Sequence, residues 1–167
     1  MVIDPVCSLV FEAERDEEDI MRRKPRDPDA PMFSASLVVW SLLQGFVAFL
    51  LVAAIYIAAL NRGLPAIEVR ALTFFSLVLN IVALIFVNRS FSASILTAIT
   101  RPNAVLALVL LAVALMLATT LLWPWATSLL RFGPLHANDL GVALGAGVTL
   151  LVVLEISKPV WRRFHRT

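Results

Sequence analysis

The chain has 167 residues, 60% of them hydrophobic, and a formal net charge of +2. Water-soluble domains are about 45–50% apolar, and one core of this size could not hide the excess from water, so composition excludes an ordinary soluble domain and points to a bilayer. The single cysteine, Cys7, excludes an internal disulfide and any Cys-x-x-Cys metal site.

In chain order, residues 1–11 (MVIDPVCSLVF) come first. As a helix this run would reach about 16 Å at roughly 1.5 Å per residue, too short for a hydrocarbon core of about 30 Å. It reads as the end of a membrane helix. With no basic run before Asp4 and Pro5, it does not read as a cleavable signal peptide. Residues 12–35 follow as a polar loop, acidic then basic, with prolines at 25, 28 and 31 that block regular structure. Nine of the twelve acids lie before position 30, so this loop and the segment before it hold most of the negative charge.

Four apolar runs come next: 36–60, 71–87, 104–123 and 140–157, with 25, 17, 20 and 18 residues. Lipid offers no partner to backbone N–H and C=O groups, so each run is expected to be a helix. The expected fold is therefore all-α: an integral membrane bundle of four full spans over 36–167, preceded by the partial helix and the loop. The links between spans have no room for a nucleotide-binding domain.

The basic residues orient such a bundle. With four spans, both chain ends and the link between the second and third runs share one side. That side holds eleven bases (Arg15, Arg22, Arg23, Lys24, Arg26, Arg89, Arg101, Lys158, Arg162, Arg163 and Arg166), whereas the other holds three, Arg62, Arg70 and Arg131. The positive-inside rule then puts both termini in the cytoplasm, and the inner (plasma) membrane is the expected location. Trp123, Trp125 and Trp161 stand at span ends, where interfacial anchors are found.

Several residues are candidates for more than packing. A carboxylate within a membrane segment is costly and commonly functional, and a proline beside it frees a carbonyl. From the residues alone Asp4-Pro5 has two readings: a carboxylate solvated near the start of the chain, or an intramembrane cation ligand. Ser76 and Asn80, one turn apart in the second run, suit bonding across helices more than cation coordination. Gln44-Gly45 in the first run, and Gly141, Gly145 and Gly147 in the last, suit close helix approach; Gly141-x-x-x-Gly145 fits the small-xxx-small pattern. Glu155 and Lys158, spaced i, i+3, suit a salt-bridged helix end. Nothing marks His136 or His165 as a ligand, and no phosphate-binding loop or catalytic triad can be assembled. The tail WRRFHR suits contact with anionic lipid.

The segment IDPVCSLVFEAERDEEDIMRRKPRDPDAPMFS resembles the end of the sixth transmembrane helix, and the cytoplasmic loop after it, of P2-type cation-transporting ATPases. These include bacterial calcium-type pumps and the sarcoplasmic reticulum calcium pump. In that family an aspartate is followed closely by proline, and the loop reads roughly DIM-x-R-x-P-R-x-P-x-x-P-[LM]. Here it stands as Asp19-Ile20-Met21, Arg23, Pro25-Arg26, Pro28 and Pro31-Met32. Gln44-Gly45 falls where the seventh helix packs small residues on the fifth, VNRSFS looks like the end of the eighth, and LEISKPVWRRF resembles the end of the tenth, with Glu155 and Lys158 at its acidic and basic positions.

The resemblance covers essentially the whole chain and implies the C-terminal membrane module of a cation pump. Such a module braces the transport helices, and Asp4 would supply one cation ligand beside Pro5. The family's phosphorylated aspartate, in DKTGT, has no counterpart here, nor do its fourth- and fifth-helix ligands or the eighth-helix acid of some calcium pumps. No ATPase activity is expected of the chain alone. ATP and Mg are expected only for a complete pump, and the expected partners are lipid, the N-terminal part of the ATPase and the transported cation, with no nucleic acid. Met1 falling within a helix suggests a truncated frame, a late start or half of a split pump. The alternative is a free-standing four-helix membrane protein, either a small exporter or a regulatory subunit. The exporter version is disfavoured, because no span carries a carboxylate at mid-depth.

Overall fold

The computed structural model describes residues 35–89 and 104–164, together with Glu12. The expected helix end at 1–11 and nearly all of the expected loop at 12–35 lie outside the described residues.

Apolar runs that must bond their own backbone become helices, and the described chain is helical apart from short links. It comprises α1 (Ala35–Asn61), α2 (Ala66–Arg89), α3 (Ala104–Leu122), α4 (Pro124–Leu130) and α5 (Ala137–Phe164). The architecture is all-α, and α1, α2, α3 and α5 are each long and apolar enough to cross a membrane. α4 occupies a stretch that, from sequence, reads as a bare link.

The turn from α1 to α2 follows from local chemistry. Gly63 takes φ +70, a left-handed conformation that costs glycine little. There its N–H bonds the Leu60 carbonyl at 2.9 Å and the Leu64 N–H bonds that of Ala59 at 3.3 Å, closing the end of α1. Pro65 cannot prolong that helix, and its carbonyl instead accepts from Glu68 and Val69 in the first turn of α2. The short turn lays α1 and α2 antiparallel.

α2 is the hub. Ala59 of α1, Val69, Leu72 and Phe75 of α2 and Ala143 of α5 form one buried cluster. Ala83 and Val87 of α2 form a second with Leu150 and Leu154 of α5, flanked by Val47, Ala48 and Leu51 of α1. Ile85 of α2 packs on Leu106 and Val109 of α3 in a third. The widest interface is α2 against α5, and its tightest point is Gly147. A Cβ there would stand 3.3 Å from the Leu79 carbonyl oxygen, a tight contact that glycine avoids. Gly45, Gly141 and Gly145 face open space, with nothing within 4 Å of a Cβ placed on them. The close approach therefore uses the one glycine of α5 outside the Gly-x-x-x-Gly pair.

At the far end of the bundle, α5 starts at a polar cap. The Asp139 carboxylate accepts the His136 backbone N–H at 3.3 Å and lies 3.6 Å from its Nδ1. An acid reaching back to the residue before the helix is half of a capping box, and it also suits the positive end of the helix dipole.

Candidate functional site

Among the described residues, the buried polar side chains are Gln44, Ser76, Asn80, Thr120, Asp139 and Lys158. Gln44 on α1 is buried, and its Nε2 donates to Asn88 Oδ1 at 3.1 Å, tying α1 to the last turn of α2. Ser76 is fully buried but spends its hydroxyl on its own helix, donating to the Leu72 carbonyl at 2.8 Å. Asn80, one turn on, is 1% exposed, and neither its Oδ1 nor its Nδ2 has a hydrogen-bond partner. The pair thus makes no bond to another helix. An unpaired amide in an apolar interior is expensive, so Asn80 is the polar group of the bundle whose presence packing does not explain.

Close to Gln44, at the same end of the bundle, the groups are aromatic and charged. The Lys158 ammonium stands 2.7 Å from Glu155 Oε2 on α5. The contact is an ion pair between residues one turn apart on α5. One turn further, the Trp161 ring meets Trp40 of α1 with centroids 5.4 Å apart. Trp40 is 3% exposed, and its Nε1–H has no partner. The sequence marks Trp161 as a span-end residue but gives no sign that its neighbour is Trp40. A helical count from Gln44 could have found it, since Trp40 lies one turn earlier on the same face.

Asp4, Pro5 and Cys7 lie outside the described residues. Among the described residues, no three of His, Cys, Asp and Glu come together as a metal site would need. What the described part assembles is a scaffold: a central helix packed on three others, with charged and aromatic contacts at both ends.

The family model of the cation-transporting ATPase C-terminus matches residues 1–160. The chain belongs to that family. It is thus the C-terminal membrane part of a cation-transporting P-type ATPase, a multi-pass membrane domain whose context is lipid and the rest of the ATPase. No curated protein matches the chain.

Proposed function

We propose that this chain is the C-terminal module of a P2-type cation pump similar to the bacterial calcium pumps. In this reading α1, α2, α3 and α5 are the seventh to tenth helices and brace the transport helices, while Asp4 beside Pro5 supplies one oxygen ligand to the cation. Both chain ends and residues 90–103 face the cytoplasm from the plasma membrane. ATP and Mg act on the part of the pump that carries the phosphorylated aspartate, so the module alone hydrolyses nothing.

The observation that carries the reading is the reach of the family match, which starts at residue 1 and so takes in Asp4-Pro5 as well as the four spans. Hard cations favour carboxylate and carbonyl oxygens, and a shell of about six to eight oxygens needs more helices than this module has. Bracing fits a bundle in which one helix is buried and its neighbours keep wide apolar faces open to further helices or lipid.

The test joins the module to a polypeptide carrying the phosphorylation and nucleotide domains. Asp4→Asn is expected to abolish cation-dependent phosphorylation by ATP while the protein stays folded and in the membrane; unchanged transport would remove Asp4 from the ion path. In the same cells, with Cys7→Ser, cysteines at Arg62 and Asn138 should label from outside and one at Ser94 should not. Reversed labelling would overturn the orientation.

A further inference from the structure

The pump reading gives α4 no task. It is seven residues long, about 10 Å of helix, and crosses nothing. It follows α3 after a single residue, Trp123, whose N–H still bonds the Thr119 carbonyl at 3.0 Å. Pro124 then opens its first turn, where a missing N–H costs least. The surface it presents is large and apolar: Leu122, Trp123, Trp125 and Leu129 are 81%, 57%, 63% and 66% exposed. The two indole rings lie 5.9 Å apart.

Its polar groups are turned back on themselves. Thr127 Oγ1 donates to the Pro124 carbonyl and Ser128 Oγ to that of Trp125, each at 2.8 Å. Arg131 takes a left-handed φ of 51, which lets its N–H reach the Ser128 carbonyl and the Phe132 N–H reach that of Thr127. The Arg131 carbonyl accepts from Arg70 Nη1 at 3.4 Å. A short helix that bonds its hydroxyls and several of its end carbonyls internally while displaying tryptophan and leucine is suited to lipid, where water is scarce, rather than to an aqueous loop. A groove of about 340 Å³, lined by Leu115, Ala118, Thr119, Leu122 and Trp123, extends the surface of the α3 span up to the Trp123 ring.

The segment is also fastened to the bundle. The Gly133 N–H bonds the Ile67 carbonyl at 2.9 Å, and a Cβ on Gly133 would stand 2.8 Å from Glu68 Cγ. Phe132 packs on Phe74 with ring centroids 5.2 Å apart. Phe132 and Gly133 thus form a strap that ties the end of α4 to α2.

We propose that α4 is an interfacial anchor. It lies in the phospholipid interface on the side where α1 ends and α2 begins, with Trp123 and Trp125 at headgroup level and Leu129 in the acyl boundary, and through the strap it fixes the depth of the hub helix. Tryptophan favours that zone because its ring is amphipathic. The proposal rests on the long helices spanning a bilayer, and the test separates the two.

The test uses the full chain in phosphatidylcholine nanodiscs. Trp40→Phe with Trp161→Phe leaves only the α4 pair to fluoresce. Lipids brominated high on the acyl chain should remove most of the emission, lipids brominated near the chain end much less, and aqueous acrylamide little. Strong acrylamide quenching with weak bromine quenching would put α4 in water and overturn the proposal, and so would an absence of quenching by either, which would mean that protein covers it. Nitroxides at Leu129→Cys and Leu111→Cys in a Cys7→Ser chain that keeps its tryptophans give a second measurement. Both should collide more with oxygen than with a water-soluble nickel chelate. A wet Leu129 beside a lipid-exposed Leu111 would overturn the anchor alone, whereas two wet sites would overturn the spans and the anchor with them.

Discussion

α1 and α2 are long apolar helices joined by a tight turn, yet 50% of the most apolar stretch of α2 is buried inside the bundle and only 11% of that of α1. Their hydropathy is nearly the same. The difference lies in which residues the helices carry and where. α2 has Ser76 and Asn80 at mid-span and is packed from several sides, whereas α1 touches its neighbours along a narrow stripe through Trp40, Gln44, Val47, Ala48, Leu51, Ile55 and Ala59. The rest of α1, including Leu42, Phe46, Phe49 and Ile57, faces outward. Lipid is as apolar as leucine, so burial in such a bundle is driven by close packing and by polar groups rather than by escape from water. One face of α1 is enough to hold it, while α2 has almost none to spare.

The contrast can be broken most sharply at Gly147, where α2 and α5 meet. Gly147→Leu must push its side chain into the Leu79 backbone, and overpacking of this kind costs roughly 1–3 kcal/mol. Gly145→Leu, two residues away and facing open space, should change stability by no more than about 0.5 kcal/mol. Unfolding in mixed micelles of increasing denaturing detergent measures both. Equal effects would mean that the hub contact does not govern the stability of the bundle.

Asn80 tests the hub with the opposite sign. Replacing an unpartnered buried amide with an apolar side chain removes a penalty of about 1–3 kcal/mol, although some of the gain is lost in fitting the larger leucine. Asn80→Leu should therefore stabilise the module by about 1 kcal/mol in the same assay. Destabilisation would show that the amide has a partner in the membrane, and the α2 seam would then hold by polar bonding as well as by packing.

The smallest effect is expected where α1 is tied to α2. Gln44→Leu removes the bond to Asn88, and interhelical hydrogen bonds in membranes average about 0.6 kcal/mol. Its loss should lower stability by about that amount and leave the helix in place, because the apolar stripe remains. Detachment of α1, read as new exposure of Ala59 to a thiol reagent through Ala59→Cys, would mean that the polar tie outweighs the stripe.

Much of this was legible from the residues. The four long helices follow from runs of apolar residues that no soluble fold could use. The family was legible in the loop string from Asp19 to Met32 and in the ending around Glu155 and Lys158, because proline and charge at fixed spacings are rare in apolar sequence. The Glu155–Lys158 ion pair also follows from their spacing on a helix. The glycines were less readable. Gly141 and Gly145 present the familiar spacing, but Gly147 makes the contact, because the crossing point depends on how α2 rotates and slides against α5, and a spacing pattern on one helix carries no information about its partner.

By itself, the sequence determined that this protein is a set of membrane-length helices and which family of ATPase it belongs to. Both follow from local chemistry: hydrocarbon demands self-bonded backbone, and motif residues are read one after another. Only the tertiary structure decided that α2 is the hub, that Asn80 has no partner, that Trp161 rests on Trp40, and that a link after α3 is a lipid-facing helix strapped to α2. In a bilayer a leucine facing lipid and one facing another helix are in equally apolar surroundings, so hydropathy cannot separate them and only the packing of one helix on another does.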